Sequence, residues 1–237
     1  MAAQDIDKRP HYKHERAWRK KRGHHAIVCG IDEVGRGPLA GPVVAAAAVL
    51  DEMSAAALQK RGVKDSKSLS KKRLEEIAAL LRCWRGPGRV IFALGAASVH
   101  EIESVNIRLA THRAMLRAFD RLPVQPDIAL VDGKETPAEL AIDAEPLIKG
   151  DSRSLSIAAA AIYAKSARDG LMRALAKRWP AYGWETNMGY GSAAHHRAAI
   201  LENGLTPHHR TSFCAKLLSE RKRRVFRDVP INENPLA

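Results

Sequence analysis

The stretch VCGIDEVGRG, residues 28 to 37, drives a short apolar run into two adjacent carboxylates and then into a glycine-arginine-glycine turn. Charged groups at the core-facing end of a strand are costly unless they are paired or bind a metal, so this arrangement restricts fold and chemistry together. Neighbouring side chains of a regular strand point to opposite faces, and Asp32 and Glu33 share one site only if the strand bends or ends there. Gly35 and Gly37, immediately downstream, supply such a break.

After the turn comes a strand-sized apolar run, Pro42 to Leu50, and Val90 to Leu94 gives a third strand-compatible segment. SLSKKRLEEIAALLRCW opens at Ser70, a suitable N-cap, and places Leu74, Ile77, Leu81 and Trp84 on one face of a surface helix. Val105 to Phe119 has the pattern of a second helix. DIALVDG, residues 127 to 133, is another apolar strand that ends in a carboxylate. From Ser154 to Trp179 the chain is Ala-rich, which predicts a long helix packed closely on a sheet through its small residues. Strands first, then strand and helix, then helices, predict an α/β fold: a mixed sheet flanked by helices, with a helical C-terminal region.

A chain of 237 residues suits one core domain, and no run approaches the ~20 apolar residues of a membrane helix. Thirty-nine Lys and Arg against 26 Asp and Glu leave a charge of +13, which makes nucleic acid the leading partner. Cys29, Cys83 and Cys214 form no CxxC pair and suggest neither a disulfide framework nor a zinc site, which fits a reducing cytoplasm. The N-terminus lacks the apolar core of a secretory signal. Residues 1–25 hold eight Lys or Arg, three acids and no apolar period, so they are expected to form a mobile basic arm. The core domain, with its C-terminal helical region, is expected over 26–215, with a basic, partly frayed tail at 216–237.

Asp32 with Glu33, Asp132 after IALV, and Asp151 in PLIKGDSRS each stand in an apolar or small-residue context. Any one of them alone could cap a strand or helix, Asp151 being placed to cap the long helix. Four together repel one another and raise each other's pKa unless a cation neutralises them. All-oxygen ligands favour Mg²⁺ or Mn²⁺, and two such ions hold the attacking water and the leaving oxygen of a phosphodiester in line. GRGPLAG is not a dinucleotide loop, because Pro38 and a β-like run replace the helix that would hold a pyrophosphate. Its backbone groups suit close approach to a sugar or phosphate, and a plain tight turn is the competing reading. The His pairs at 24/25, 195/196 and 208/209 lack metal-ligand spacing and are read as surface or supporting residues. Tyr190, between Gly189 and Gly191, is expected on a flexible turn, either stacking on a sugar or serving as a structural aromatic.

GIDEVGRGPLAGPVVAAAAVL, VKDSKSLS, VDGK, KGDSRSLSIAAAAIYAKSARD, NMGYGSAAH and HHRTSF, in this order, closely resemble the bacterial ribonuclease HII family from about Ile27 to Phe213. The resemblance implies a ribonuclease H-like fold and a metal-dependent endonuclease. Such an enzyme acts on RNA paired with DNA and on ribonucleotides embedded in duplex DNA, for primer removal and ribonucleotide excision. It implies Asp32, Glu33 and Asp132 as metal ligands with Asp151 completing the tetrad, and Gly35, Arg36, Gly37 and Tyr190 as readers of the ribose 2′-hydroxyl. Lys64, Ser152, Arg153 and Ser154 match regions near the substrate backbone. Val34, Ala161, Met188 and Ser192 stand where many members carry Ala, Ser, Lys and Thr, and none is an implied ligand. The basic arm is too short to supply the extra N-terminal substrate-binding domain of the related ribonuclease HIII. The rival readings are a non-catalytic nucleic-acid-binding protein, which should lack an acid of the tetrad, and another nuclease of the same fold. A monomer is the default expectation.

Overall fold

The computed structural model describes residues 9–63, 69–84 and 90–227. They divide into two compact units: residues up to Arg36 together with Pro42–Leu171, and Gly37–Gly41 together with the residues from Met172 onward.

The first unit is built on five strands: β1 (Val28–Val34), β2 (Val43–Leu50), β3 (Val90–Ala97), β4 (Ile128–Asp132) and β5 (Asp143–Leu147). They lie in the order β3-β2-β1-β4-β5. β2 is antiparallel to both β1 and β3, whereas β4 runs parallel to β1 and β5 parallel to β4. The hairpin β1-β2 is the one that the Gly/Pro-rich turn predicts. Its helices are α1 (Lys13–Arg22), α2 (Glu52–Lys60), α3 (Lys71–Cys83), α4 (Val99–Val105), α5 (Ile107–Asp120) and the first part of α6 (Leu155–Arg178). All eight residues of β2 are buried. Val44, Ala46, Ala48 and Leu50 pack with Leu74, Ile77 and Leu81 of α3 and Leu155, Ala158 and Ile162 of α6, while α5 covers β1, β2 and β3. The second unit contains the end of α6 with α7 (Trp184–Asn187), α8 (Ala194–Asn203) and α9 (Thr211–Arg227). Its core gathers Ala40, Met172, Trp184, Met188, Ile200 and Cys214.

Small residues set how closely the layers approach. A Cβ on Gly30 would lie 2.3 Å from the backbone of Ser156 and Ile157, so β1 and the first turn of α6 touch backbone to backbone. A Cβ on Gly95 would lie 2.1 Å from the Ala114 carbonyl oxygen, so β3 and α5 do the same. Ser70 caps α3 as expected, its hydroxyl accepting the Arg73 N–H at 3.2 Å. The helical stretch from Val105 is divided, because Asn106 takes a positive φ of 74° and caps α5 through the Arg108 and Leu109 N–H groups.

The expected mobile arm is corrected over its described residues. Tyr12 is buried and donates to the Leu50 carbonyl at 2.5 Å, Trp18 Nε1 donates to Glu145, and Arg16 pairs with Glu52 on both carboxylate oxygens. Glu15 is fully buried. Tyr12, Glu15 and Trp18 line one side of the helix, and no apolar period was visible because the middle member is a carboxylate. The expected tail is likewise helical as far as Arg227, continuing α9; residues 228–237 lie outside the described residues.

Gly30→Ala tests the close approach of β1 and α6. The added methyl meets main chain and not a flexible side-chain end, so a loss of about 3 kcal/mol in urea-unfolding free energy is expected. An unchanged midpoint would contradict it.

Candidate metal centre

β1 and β4 are in parallel register through Ile31↔Val131, which brings Asp32 and Asp132 side by side at the carboxyl ends of adjacent strands. The break expected after Glu33 is one-sided: pairing with β4 stops at Ile31, while pairing with β2 continues to Val34. Gly35 then turns the chain at a φ of 94°, in a place where a Cβ would strike the buried Arg168 side chain at 2.2 Å. Arg168 Nε donates to the Pro42 carbonyl at 3.0 Å, so a cation from α6 fastens the exit of the turn. Sequence reasoning missed Arg168, which looks like one more helix former in its Ala-rich setting.

One oxygen each from Asp32, Glu33 and Asp132 lie within 4.8 Å of one another. Two of the carboxylates are aimed by backbone: the Glu33 N–H donates to Asp32 Oδ1 at 2.5 Å, and the Gly150 N–H donates to Asp132 Oδ1 at 2.6 Å. Arg36 Nη1 stands 3.4 Å from Glu33 Oε1. Burial pushes the Asp32 carboxyl well above its ordinary range, and the charges of Glu33, Asp132 and Asp151 push it the same way. Burial also raises Glu33, with the Arg36 guanidinium opposing the rise and Asp132 adding to it. The set offers oxygen donors alone, and its charges are held together out of water by rigid elements, so the residues fit a hard divalent cation.

Asp151 is buried in a 3₁₀ turn, Gly150–Ser152, and acts electrostatically on Asp32. At the start of the long helix, Ser154 Oγ accepts the Ile157 N–H at 3.2 Å. Ser152 is partly buried, its hydroxyl donating to the Lys149 carbonyl at 2.8 Å, and Arg153 is exposed. Ser154, expected in a region near the substrate backbone, is fully buried and its hydroxyl donates to Glu15 at 2.6 Å. Lys64 lies outside the described residues. Beside the acids a cleft of about 290 Å³ is lined by Glu33, Arg36, Arg108, His112, Asp132 and Lys134, among others.

Gly37 and Tyr190 belong to the second unit. Tyr190 is 38% exposed, and the turn expected to be flexible makes backbone contacts with residues 39 and 40. The Gly189 carbonyl accepts the Leu39 N–H at 2.8 Å, and a Cβ on Gly189 would lie 2.6 Å from the Ala40 carbonyl oxygen. His196, fully buried, stands with Nδ1 3.1 Å from the Tyr190 carbonyl and Nε2 3.2 Å from His209 Nε2. Burial holds the His209 imidazole down at about 4. Of the histidines read as surface or supporting residues, His195 is exposed, whereas His196 and His209 are buried in a setting that resembles a core and not a ligand set.

The model of the ribonuclease HII family matches residues 29–216. The ribonuclease HII of Roseobacter denitrificans is 50% identical over 186 residues, 78% of this chain and 89% of that protein. Among solved structures, the ribonuclease H2 of Pyrococcus horikoshii superposes with a TM-score of 0.70 at 23% identity, over 83% of this chain and 99% of that one. Bst-RNase HIII, solved in complex with Mn²⁺, gives 0.63 at 23% identity, over 84% of this chain and 71% of that one. The chain belongs to the ribonuclease HII family. Its activity is that of an endoribonuclease on RNA/DNA hybrids and on ribonucleotides embedded in DNA.

The raised Asp32 carboxyl has a stability consequence of defined sign. A carboxyl whose folded pKa lies above its unfolded value favours folding below the unfolded pKa, and that advantage is lost as pH rises through the folded value. In metal-free protein, Asp32→Asn should therefore raise the melting temperature, and by more at pH 8 than at pH 5. Equal or lowered melting temperatures at pH 8 would show that the repulsion is relieved without a cation.

Proposed function

We propose that the enzyme hydrolyses the phosphodiester on the 5′ side of a ribonucleotide, leaving 3′-hydroxyl and 5′-phosphate ends, with two divalent ions, Mg²⁺ or Mn²⁺, held by Asp32, Glu33, Asp132 and Asp151. The observation that carries this reading is the convergence of three carboxylate oxygens within 4.8 Å at the aligned ends of β1 and β4. When bound, such ions supply positive charge for the phosphoryl oxygens and lower the pKa of water. The side chains' task is to hold position. Backbone N–H groups fix one oxygen of Asp32 and of Asp132, the strands below them do not yield, and the Arg36 guanidinium steadies Glu33. Manganese in Bst-RNase HIII, a protein of the same fold, agrees with an oxygen-ligand site.

Selection of one ribose among deoxyriboses falls to the 2′-hydroxyl, the only group that distinguishes them. In this reading the backbone of Gly35, Arg36 and Gly37 and the Tyr190 hydroxyl contact it. A fastened Tyr190 turn supports that role, because a reader must be held still to reject the deoxy analogue. Ser152 and Arg153 lie beside the Asp151 turn, where they reach the substrate backbone, and Lys64 is assigned the same part. The surplus of Lys and Arg binds duplex phosphates. Among the described residues no helix is long and apolar enough to cross a membrane. We assign the enzyme, as a monomer, to the cytoplasm, acting on RNA/DNA hybrids and ribonucleotide-containing DNA.

Matched duplexes, one all-DNA and one carrying a single ribonucleotide, test the reading. Cleavage is expected only in the second, on the 5′ side, with ends that a polymerase extends directly. Tyr190→Phe should lower the rate on that duplex about tenfold or more while changing a long RNA/DNA hybrid less, since a hydroxyl-reading site loses its discrimination when one polar partner is removed. Equal cleavage of the all-DNA duplex would overturn the assignment, and unaltered rates in the variant would make Tyr190 a structural aromatic.

A further inference from the structure

Glu15 is a carboxylate buried completely in a helix that precedes the matched family region. Its Oε1 accepts the Ser154 hydroxyl at 2.6 Å, the Ser156 hydroxyl at 2.7 Å and the Ser156 N–H at 2.9 Å, while Oε2 is buried with no hydrogen-bond partner. Burying an ion in this way costs several kcal/mol unless its bonds are good, so a carboxylate is an expensive means of packing a helix. A leucine or methionine would avoid the buried ion but would leave the Ser156 N–H and two serine hydroxyls without this acceptor. The charge has a more specific effect.

From Glu15 a continuous series of hydrogen bonds runs to the metal centre. Ser154 Oγ donates to Glu15; the Ser154 N–H donates to the Gly150 carbonyl at 2.8 Å; and the Gly150 N–H donates to Asp132 Oδ1 at 2.6 Å. Asp151 lies inside this loop. The same segment is gripped a second time by main chain, where the His11 N–H donates to the Arg153 carbonyl at 3.2 Å and the His11 carbonyl accepts the Leu155 N–H at 3.3 Å. Gly150 has little latitude, since a Cβ there would lie 2.6 Å from the Ile157 side chain, and Lys149 before it is held at a positive φ of 55°. A carboxylate at the first turn of the 24-residue α6 also suits the helix dipole.

We infer that Glu15 is a positioning residue for the metal centre: through Ser154 and Gly150 it fixes Asp132 Oδ1 and the turn that carries Asp151, and so sets the affinity for the divalent ions. The inference rests on the reading of Asp132 and Asp151 as ligands. It makes the segment before β1 a support of the metal centre.

Calorimetric titration of Mn²⁺ into the full-length protein tests it, in parallel with circular dichroism and the metal dependence of cleavage. Glu15→Ala should weaken Mn²⁺ binding about tenfold or more, within the range found when groups that orient metal ligands are removed. It should move the metal-activation curve by the same factor while leaving the rate at saturating metal within about twofold. Glu15→Gln, which keeps the length and one acceptor oxygen, should fall between it and the wild type. Should Glu15→Ala not fold, Ser154→Ala, which deletes one hydroxyl and leaves the Ser154 N–H in place, is expected to weaken binding by a smaller factor. Wild-type Mn²⁺ affinity in a folded Glu15→Ala or, failing that, in Ser154→Ala, overturns the inference. Asp132→Asn is the reference and should lose Mn²⁺ binding; if it kept wild-type affinity, the ligand reading itself would fall, and the inference with it.

Discussion

Like charges held together at the ends of two strands are the constraint around which this site is built. Asp32, Glu33 and Asp132 converge where two parallel strands end, and burial sharpens their repulsion because little solvent remains to screen it. A flexible support would let such groups drift apart and relieve their repulsion. Here the sheet prevents it: β1 is paired on both sides as far as Ile31 and stays paired with β2 through Val34, so neither acid can withdraw without breaking ladder bonds. The unfavourable arrangement persists because the rest of the unit is rigid, and it makes the centre receptive to cations of high charge.

That rigidity is traceable to a few close backbone approaches. With no side chain, Gly30 lets β1 rest on the first turn of α6, and α6 begins beside the loop whose Gly150 N–H aims Asp132. Gly35 admits Arg168 beneath the turn that follows the acids. The same segment of α6 receives Glu15 from the N-terminal helix, so strand, loop and helix meet within a few bonds of the metal centre. A net positive chain with an acidic centre also divides the electrostatic work. Long-range attraction brings polyanionic duplex to the protein, and short-range repulsion at the acids is left for the ions to neutralise.

The acids were legible in sequence because each ends or follows an apolar run, where a carboxylate is conspicuous, and the ordered motifs carried the resemblance to the family. Other parts left no such signal. The N-terminal helix hides its buried face behind Glu15, and β5 has the sequence DAEPL, whose Pro146 and acids suit an edge strand and show no alternation. The pattern through Val105–Phe119 looks continuous, yet one positive φ at Asn106 resets the helix. The turn at Tyr190 has the glycines of a flexible loop, and they serve instead to admit Leu39 and Ala40, partners far away along the chain. Ser154 follows the last acid in sequence, and nothing in the sequence shows its burial against Glu15.

The central claim, that the strand-end acids form a metal centre poised by the fold, is tested most directly by anomalous diffraction from crystals soaked in Mn²⁺. The account predicts anomalous density bounded by the carboxylates of Asp32, Glu33 and Asp132. Density elsewhere on the protein with none at this cluster, under soaking conditions that support cleavage in solution, would contradict it.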